Sequence, residues 1–284
     1  MTKKQELTAD ISMVEVGGRT LRVAAWRLDE PSDHPPVLFF NGIGANIEAV
    51  APLAEALDDR GFIMFDMPGV GESPDPVVPY NPFTMSWTTA SLLDKYGIEM
   101  VDVVGISWGG AMAQHFALQH GGRVRKLALI ATTAGMLMVP GNPAAFTKMA
   151  DPRRYIDPEF MNEHFATLYG GIDADGAEHQ KDSHIGRLKP PSPRGYVYQL
   201  LCMLGWTSAP ALPFLTKETL IMMGDDDQIV LPINGKFLNT LIPNSRLYTV
   251  KGGGHLFLLT HADESIAELR GFLDGVEANE AEAA

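Results

Sequence analysis

A serine hydroxyl attacks a carbonyl only if its backbone presents it and a base stands beside it, and Gly105-Ile106-Ser107-Trp108-Gly109-Gly110 meets the first condition. The apolar run Met100–Val104 enters this turn, and a helix-like stretch, Ala111–Gln119, leaves it. Glycine at 105 and 109 keeps side chains clear of the adjoining strand and helix, while Ser107 takes a strained backbone angle. A Gly-x-Ser-x-Gly string alone is common. Its strand–turn–helix setting is what makes Ser107 the candidate nucleophile and the Trp108 amide a candidate donor to a developing oxyanion. Of the eight histidines, His255 is the candidate base, because it follows the last strand-like run, Arg246–Val250, across Lys251-Gly252-Gly253-Gly254. An unperturbed imidazole titrates near pH ~6.5, so it can take the serine proton and return it to a leaving group near neutrality. The carboxylate that orients the histidine must come from the loop after Thr219–Met223. That loop reads Gly224-Asp225-Asp226-Asp227-Gln228-Ile229-Val230, and residue types alone leave all three aspartates open. A second oxyanion donor is expected from Asn41-Gly42-Ile43-Gly44-Ala45-Asn46. Chemistry of this kind is acyl transfer through a covalent acyl-serine, and it requires no metal and no organic cofactor.

These residues need a rigid frame, and the chain shows one. Ile11–Val16 and Thr20–Trp26 alternate around Gly17-Gly18 and read as an opening β-hairpin. Val37–Phe40, Phe62–Phe65, Lys126–Ile130, Thr219–Met223 and Leu247–Val250 are short and wholly or largely apolar, as strands buried on both faces must be. Helix-like stretches at Ile47–Leu57, Trp87–Tyr96, Ala111–Gln119 and Ile266–Leu273 separate most of them. The alternation predicts an α/β fold with a doubly wound, mostly parallel sheet of about eight strands. It fails over residues 134–215, where no buried-strand run occurs and Pro, Met, Tyr and Phe are frequent. The expected division is therefore a core of residues 1–133 and 216–284 with a mainly helical lid inserted at 134–215. Met136, Met138, Met149, Met161, Met203, Tyr155, Tyr169, Tyr196, Tyr198 and Trp206 are candidates to wall an apolar pocket there. The tail from Glu277 reads as a frayed helix end.

Composition excludes several classes. The chain of 284 residues carries 35 acidic against 22 basic side chains, a net charge of −13, with the basic residues scattered, so a nucleic-acid partner is not expected. Cys202 is the single cysteine, which rules out an intramolecular disulfide and a cysteine zinc site and fits a cytoplasmic protein. The first twenty residues are too charged for a secretory signal. The longest apolar stretch, Leu127–Val139, is interrupted and too short to span a bilayer, so no transmembrane segment is expected.

Together the segments resemble the α/β-hydrolase superfamily and, within it, the intracellular depolymerases of medium-chain-length poly(3-hydroxyalkanoates). The resemblance rests on Phe39 to Asn46, Phe65-Asp66-Met67-Pro68-Gly69-Val70-Gly71, the Ser107 turn, Gly224-Asp225-Asp226-Asp227 and Gly254-His255-Leu256-Phe257-Leu258. More specific are Met138-Val139-Pro140-Gly141, Pro152-Arg153-Arg154-Tyr155, Tyr169-Gly170-Gly171 and Leu204-Gly205-Trp206-Thr207-Ser208. In such hydrolases the acid stands three residues after the glycine, which selects Asp227, and the second oxyanion amide follows the loop glycine, which selects Ile43. Asn41, Trp206 and Met138 are then expected to touch substrate. The implied activity is hydrolysis of a storage polyester to 3-hydroxy acids in the cytoplasm, at the granule surface. The other readings are a small-molecule carboxylesterase, thioesterase or carbon–carbon hydrolase on the same triad, or a granule-associated protein without turnover. Asn41 stands where relatives often carry histidine, Gln228 where they often carry proline, and the carboxyl tail is more acidic than theirs.

Overall fold

Eight strands form one sheet in the order β1-β2-β4-β3-β5-β6-β7-β8. The computed structural model describes residues 8–149, 151, 153, 157–169 and 186–276. β1 (Asp10–Val16) and β2 (Arg19–Trp26) are the expected hairpin, and both turn glycines have positive φ, +57° at Gly17 and +71° at Gly18. β2 pairs antiparallel with β4 (Phe62–Phe65); from there β3 (Val37–Phe40), β5 (Val101–Ile106), β6 (Val124–Ile130), β7 (Glu218–Gly224) and β8 (Ser245–Val250) continue in parallel.

Parallel strands need crossovers, and these helices bury both sheet faces. The period-2 alternation of a strand divides its side chains between two cores: Phe40, Phe65, Leu127 and Leu129 pack on one side, Phe39, Phe62, Ala128 and Ile130 on the other. α1 (Ile47–Ala56) and the carboxyl-terminal helix, Ala262–Asp274, cover the second core, while α2 (Pro82–Lys95) and α3 (Trp108–Gln119) cover the first.

Several helices depart from the expected bounds: α3 begins at Trp108 where Ala111 was expected, and the carboxyl-terminal helix begins at Ala262 where Ile266 was expected. α2 begins at Pro82, five residues before the Trp87 start read from the apolar pattern, because Asn81 accepts from the Thr84 amide, Thr84 closes a capping box, and proline fits the first turn. Pro232–Leu241 is helical although no helix was expected there. Its start has proline at the first turn but no side-chain cap, and Asn234 and Gly235 weaken its helical pattern.

Residues 134–215 enter between β6 and β7. Their described part includes the α-helices α4 (Pro143–Met149), α5 (Pro158–Tyr169) and α6 (Pro193–Cys202) and a short 3-10 helix, Leu212–Phe214, and an isolated bridge, Gly135 to Thr207, ties the two ends of the segment together. After β7 the described residues add α7 (Pro232–Leu241), α8 (Phe257–Thr260) and α9 (Ala262–Asp274). Tyr155, with Pro152, Arg154, Gly170, Gly171 and the tail from Glu277, lies outside the described residues. Among those described, no helix is long and apolar enough to cross a membrane.

Candidate active site

β5 delivers the chain into a sharp turn at Ser107, whose φ of +54° and ψ of −120° are a conformation few side chains tolerate. The turn is held from three sides: the Ser107 amide donates to the Ile130 carbonyl (2.8 Å), and the Ser107 carbonyl accepts from the Gly110 amide (2.9 Å) and the Thr132 hydroxyl (2.7 Å). The flanking glycines are steric necessities. A Cβ at Gly105 would stand 2.4 Å from the Gly109 carbonyl oxygen, and one at Gly109 would stand 2.1 Å from that of Phe40.

The parallel sheet brings the loops after β5, β7 and β8 to one edge. There His255 Nε2 lies 2.9 Å from Ser107 Oγ, and His255 Nδ1 lies 2.7 Å from Asp227 Oδ2. Asp227 is held in turn, because its Oδ1 accepts from the amides of Ile229 and Val230 at 2.8 Å each. Asp227 and His255 are 1% and 5% exposed, so their hydrogen bond is made largely out of water, where it is electrostatically stronger. Asp225 and Asp226 are spent elsewhere. Asp225 accepts from the Gly252 amide (2.6 Å), and the Asp226 side chain takes the Gln228 amide group (3.0 Å). The His255 amide donates to the Tyr169 carbonyl (2.5 Å), and the two rings stack at 6.3 Å, so the end of α5 closes over the imidazole.

The loop after β3 runs beside the serine: a Cβ on Gly42 would come 3.9 Å from Ser107 Cβ, and Ile43 follows in the same wall. Asn41 borders the pocket, but its polar atoms are committed to the loop, Nδ2 donating to the Asn46 carbonyl (3.0 Å) and Oδ1 accepting from the Gly42 amide (2.8 Å). Beneath this loop sits a buried charge network. Asp66 accepts from the Ile47 amide and from Arg22, and burial pushes its carboxyl up to about 6 against those bonds. Burial also acts to raise Glu48, but hydrogen bonds from Arg22, Lys189 and Asn46 prevail and hold it at about 2.

Ser107 and His255 open into a pocket of about 960 Å³, its mouth included. α1 contributes Ala49, Val50 and Leu53, the turn after His255 contributes Leu256, Leu258 and Leu259, and the inserted segment contributes Met149, Tyr169 and Leu188. Such a lining takes up an aliphatic chain and leaves its carbonyl at the polar end. Met149 and Tyr169 are where apolar lid residues were expected. Trp206 and Met138 are not among the lining residues. The Trp206 indole donates to His115 Nδ1 (3.2 Å) on α3, and Met138 Sδ lies 3.9 Å from the Thr133 hydroxyl. Both residues lie beside the Gly135–Thr207 bridge at the base of the inserted segment, where the Met138 amide donates to the Gly135 carbonyl and the Trp206 carbonyl accepts from the Met136 amide (2.9 Å each). The walls from α1 and from 256–259 were not singled out in the sequence, because an apolar residue on a helix signals burial without saying whether it faces core or pocket. A group of ligand-type atoms among the described residues, His34, Asp59 and Asp274, is already served by the Arg60 guanidinium, which bonds both acids.

The family model described as alpha/beta hydrolase fold matches residues 35–169 and 187–262. The chain belongs to the alpha/beta hydrolase fold family. It is 42% identical over 251 residues to a poly(3-hydroxyalkanoate) depolymerase of Ectopseudomonas oleovorans, covering 88% of this chain and 87% of that one. A pimeloyl-[acyl-carrier protein] methyl ester esterase of Stenotrophomonas maltophilia is 26% identical, over 87% of this chain and 95% of that one. Among solved structures, an alpha/beta hydrolase fold protein from Chitinophaga pinensis superposes with a TM-score of 0.77 at 20% identity, over 94% of this chain and 98% of that one. The fold class and the family resemblance read from the residues both hold.

Proposed function

We propose that this alpha/beta hydrolase cleaves esters through an acyl-enzyme on Ser107, and that its substrate is an intracellular poly(3-hydroxyalkanoate). The continuous relay from Ser107 Oγ to His255 to Asp227, at the polar end of an apolar pocket, carries the chemical part of this reading. As Oγ attacks the ester carbonyl, His255 Nε2 takes its proton, and the Asp227 carboxylate holds the Nδ1–H tautomer and stabilises the imidazolium. The amides of Ile43 and Trp108 hold the oxyanion, at about 3 kcal/mol for one such donor. The imidazolium returns the proton to the leaving hydroxyl of the polymer chain. A water, deprotonated by the same ring, then releases a 3-hydroxy acid or its oligomer.

The relative at 42% identity supports the polyester. The pocket agrees, since it takes the aliphatic side chain of one hydroxyacyl unit. Residues 134–215 act as a lid over this pocket, and turnover takes place at the granule surface in the cytoplasm.

The test is incubation with native amorphous granules of a medium-chain polyester, alongside p-nitrophenyl octanoate. Release of soluble 3-hydroxy acids from granules is the expected result. Cleavage of the small ester without release from granules would replace the polymer by a small-molecule ester, and cleavage of neither would remove the hydrolase mechanism.

A further inference from the structure

Gln199, on α6 of the inserted segment, is completely buried and bridges the two stretches that carry the oxyanion amides. Its Oε1 accepts from the Gly44 amide at 2.8 Å, and Gly44 directly follows Ile43. Its backbone carbonyl accepts from the Trp108 indole at 3.0 Å, and Trp108 directly follows Ser107. One residue thus fastens both walls of the oxyanion site from outside the hydrolase core.

The choice of glutamine is informative. Its Nε2 is buried and has no hydrogen-bond partner among the described residues. A desolvated donor left unmatched is costly, and methionine or leucine at this position would avoid that cost. What glutamine supplies that they cannot is the acceptor opposite Gly44, in a loop whose φ at Gly44 is +68° and whose amide needs a fixed partner.

The support behind Gln199 is rigid. The Ser192 amide donates to the Gly69 carbonyl (2.8 Å), and Gly195 packs on Gly69 so closely that a Cβ would stand 2.4 Å from that carbonyl oxygen. Asn46 takes the Lys189 amide (3.0 Å) and donates to the Arg187 carbonyl (3.1 Å), and Lys189 Nζ reaches Glu48 and Glu72 at 2.6 Å each. Residues 187–199 are therefore a strut fixed to the core at both ends, and Gln199 projects from it onto the oxyanion loop.

We propose that Gln199 is a positioning residue for the oxyanion hole: it presets the Ile43 and Trp108 amides for the tetrahedral intermediate and does not touch substrate. Preset donors act on the transition state more than on the bound ester, so their loss lowers kcat and leaves KM nearly alone. The inference rests on the reading of Ser107, Ile43 and Trp108 given above.

The experiment uses p-nitrophenyl butyrate as soluble substrate and an alkyl trifluoromethyl ketone, which forms a tetrahedral adduct on the serine, as probe of the oxyanion site. Gln199→Met keeps side-chain length and the backbone acceptor but removes the acceptor for Gly44. Trp108→Phe keeps the backbone amide but removes the indole bond, and it reads the same strut if Gln199→Met fails to fold. Each variant is expected to lose about 10- to 100-fold in kcat, with KM within about threefold and the ketone inhibition constant raised by the same factor as kcat falls. Thermal melts check that the variants are folded. A folded Gln199→Met enzyme with kcat and ketone affinity within about twofold of the parent would overturn the assignment, as would a loss confined to KM. Absence of turnover in the parent protein, or turnover surviving in Ser107→Ala, would instead remove the serine mechanism on which the assignment stands.

Discussion

Replacing Asp227 by asparagine separates the orienting carboxylate from its two neighbours in the same loop. Asp227 Oδ1 is fixed by the amides of Ile229 and Val230, so asparagine must place its oxygen there and turn its NH2 toward His255 Nδ1. A donor at that point forces Nδ1 to accept and moves the ring proton to Nε2, which then faces Ser107 Oγ at 2.9 Å and cannot take its proton. A wrong tautomer in an otherwise intact triad lowers kcat by about 10⁴-fold, about 5.5 kcal/mol of transition-state stabilisation. Initial rates on p-nitrophenyl butyrate at pH 7 to 8 measure this, with thermal melts confirming that the loop still folds. Asp225→Asn and Asp226→Asn are the controls, and each keeps kcat within about twofold because neither side chain reaches the imidazole. A folded Asp227→Asn enzyme retaining more than about a tenth of kcat would refute the tautomer argument, and so would an equal loss in Asp225→Asn.

Three further outcomes are expected. Ala49→Phe, filling the α1 side of the pocket, lowers kcat/KM for octanoyl esters by on the order of thirtyfold while acetyl esters keep theirs, since two or three excluded methylenes forfeit ~0.8 kcal/mol each; equal losses on both chain lengths would place the acyl chain elsewhere. Glu48→Gln lowers stability to urea at pH 7 by on the order of 1–3 kcal/mol. A carboxyl held at about 2 against an ordinary 4.5 gives its full stabilisation above pH 4.5 and loses it as the pH falls through about 2. The gap between the two proteins should accordingly close over that range, and a gap independent of pH would contradict the network described around Glu48. Gly109→Ala yields little folded protein, because its Cβ would lie 2.1 Å from the Phe40 carbonyl oxygen, which is backbone and cannot move aside; normal expression and activity would show that the elbow relaxes.

Much of this architecture was legible because each parallel strand is buried on both faces and must be a short apolar run, as Val37–Phe40 and Phe62–Phe65 are. Ser107 and His255 announced themselves by their places just after such runs. The three aspartates after Gly224 share one loop and one composition, so residue types left them open; the family spacing selected Asp227, and the fold of the Ile229-Val230 turn is what aims that carboxylate at the imidazole. The pocket walls were the least legible part. Methionine and aromatic content marks a segment as apolar without saying which face meets the site, so Trp206 was expected at the substrate and lies instead against His115. Ala49, Val50 and Leu53 sit on an amphipathic helix whose apolar residues serve core and pocket alike. The role of Gln199 depends on a hydrogen bond to a residue 155 positions away in the chain, which no local pattern can signal.

In the proposed mechanism one strained alcohol, that of Ser107, is made nucleophilic by His255 and takes the acyl group. Reaction with a fluorophosphonate followed by intact-mass and peptide mass spectrometry tests it most directly. A single adduct per chain is expected, located on Ser107, with labelling abolished in Ser107→Ala and strongly slowed in His255→Ala. An adduct on another residue, or undiminished labelling of Ser107→Ala, would contradict it.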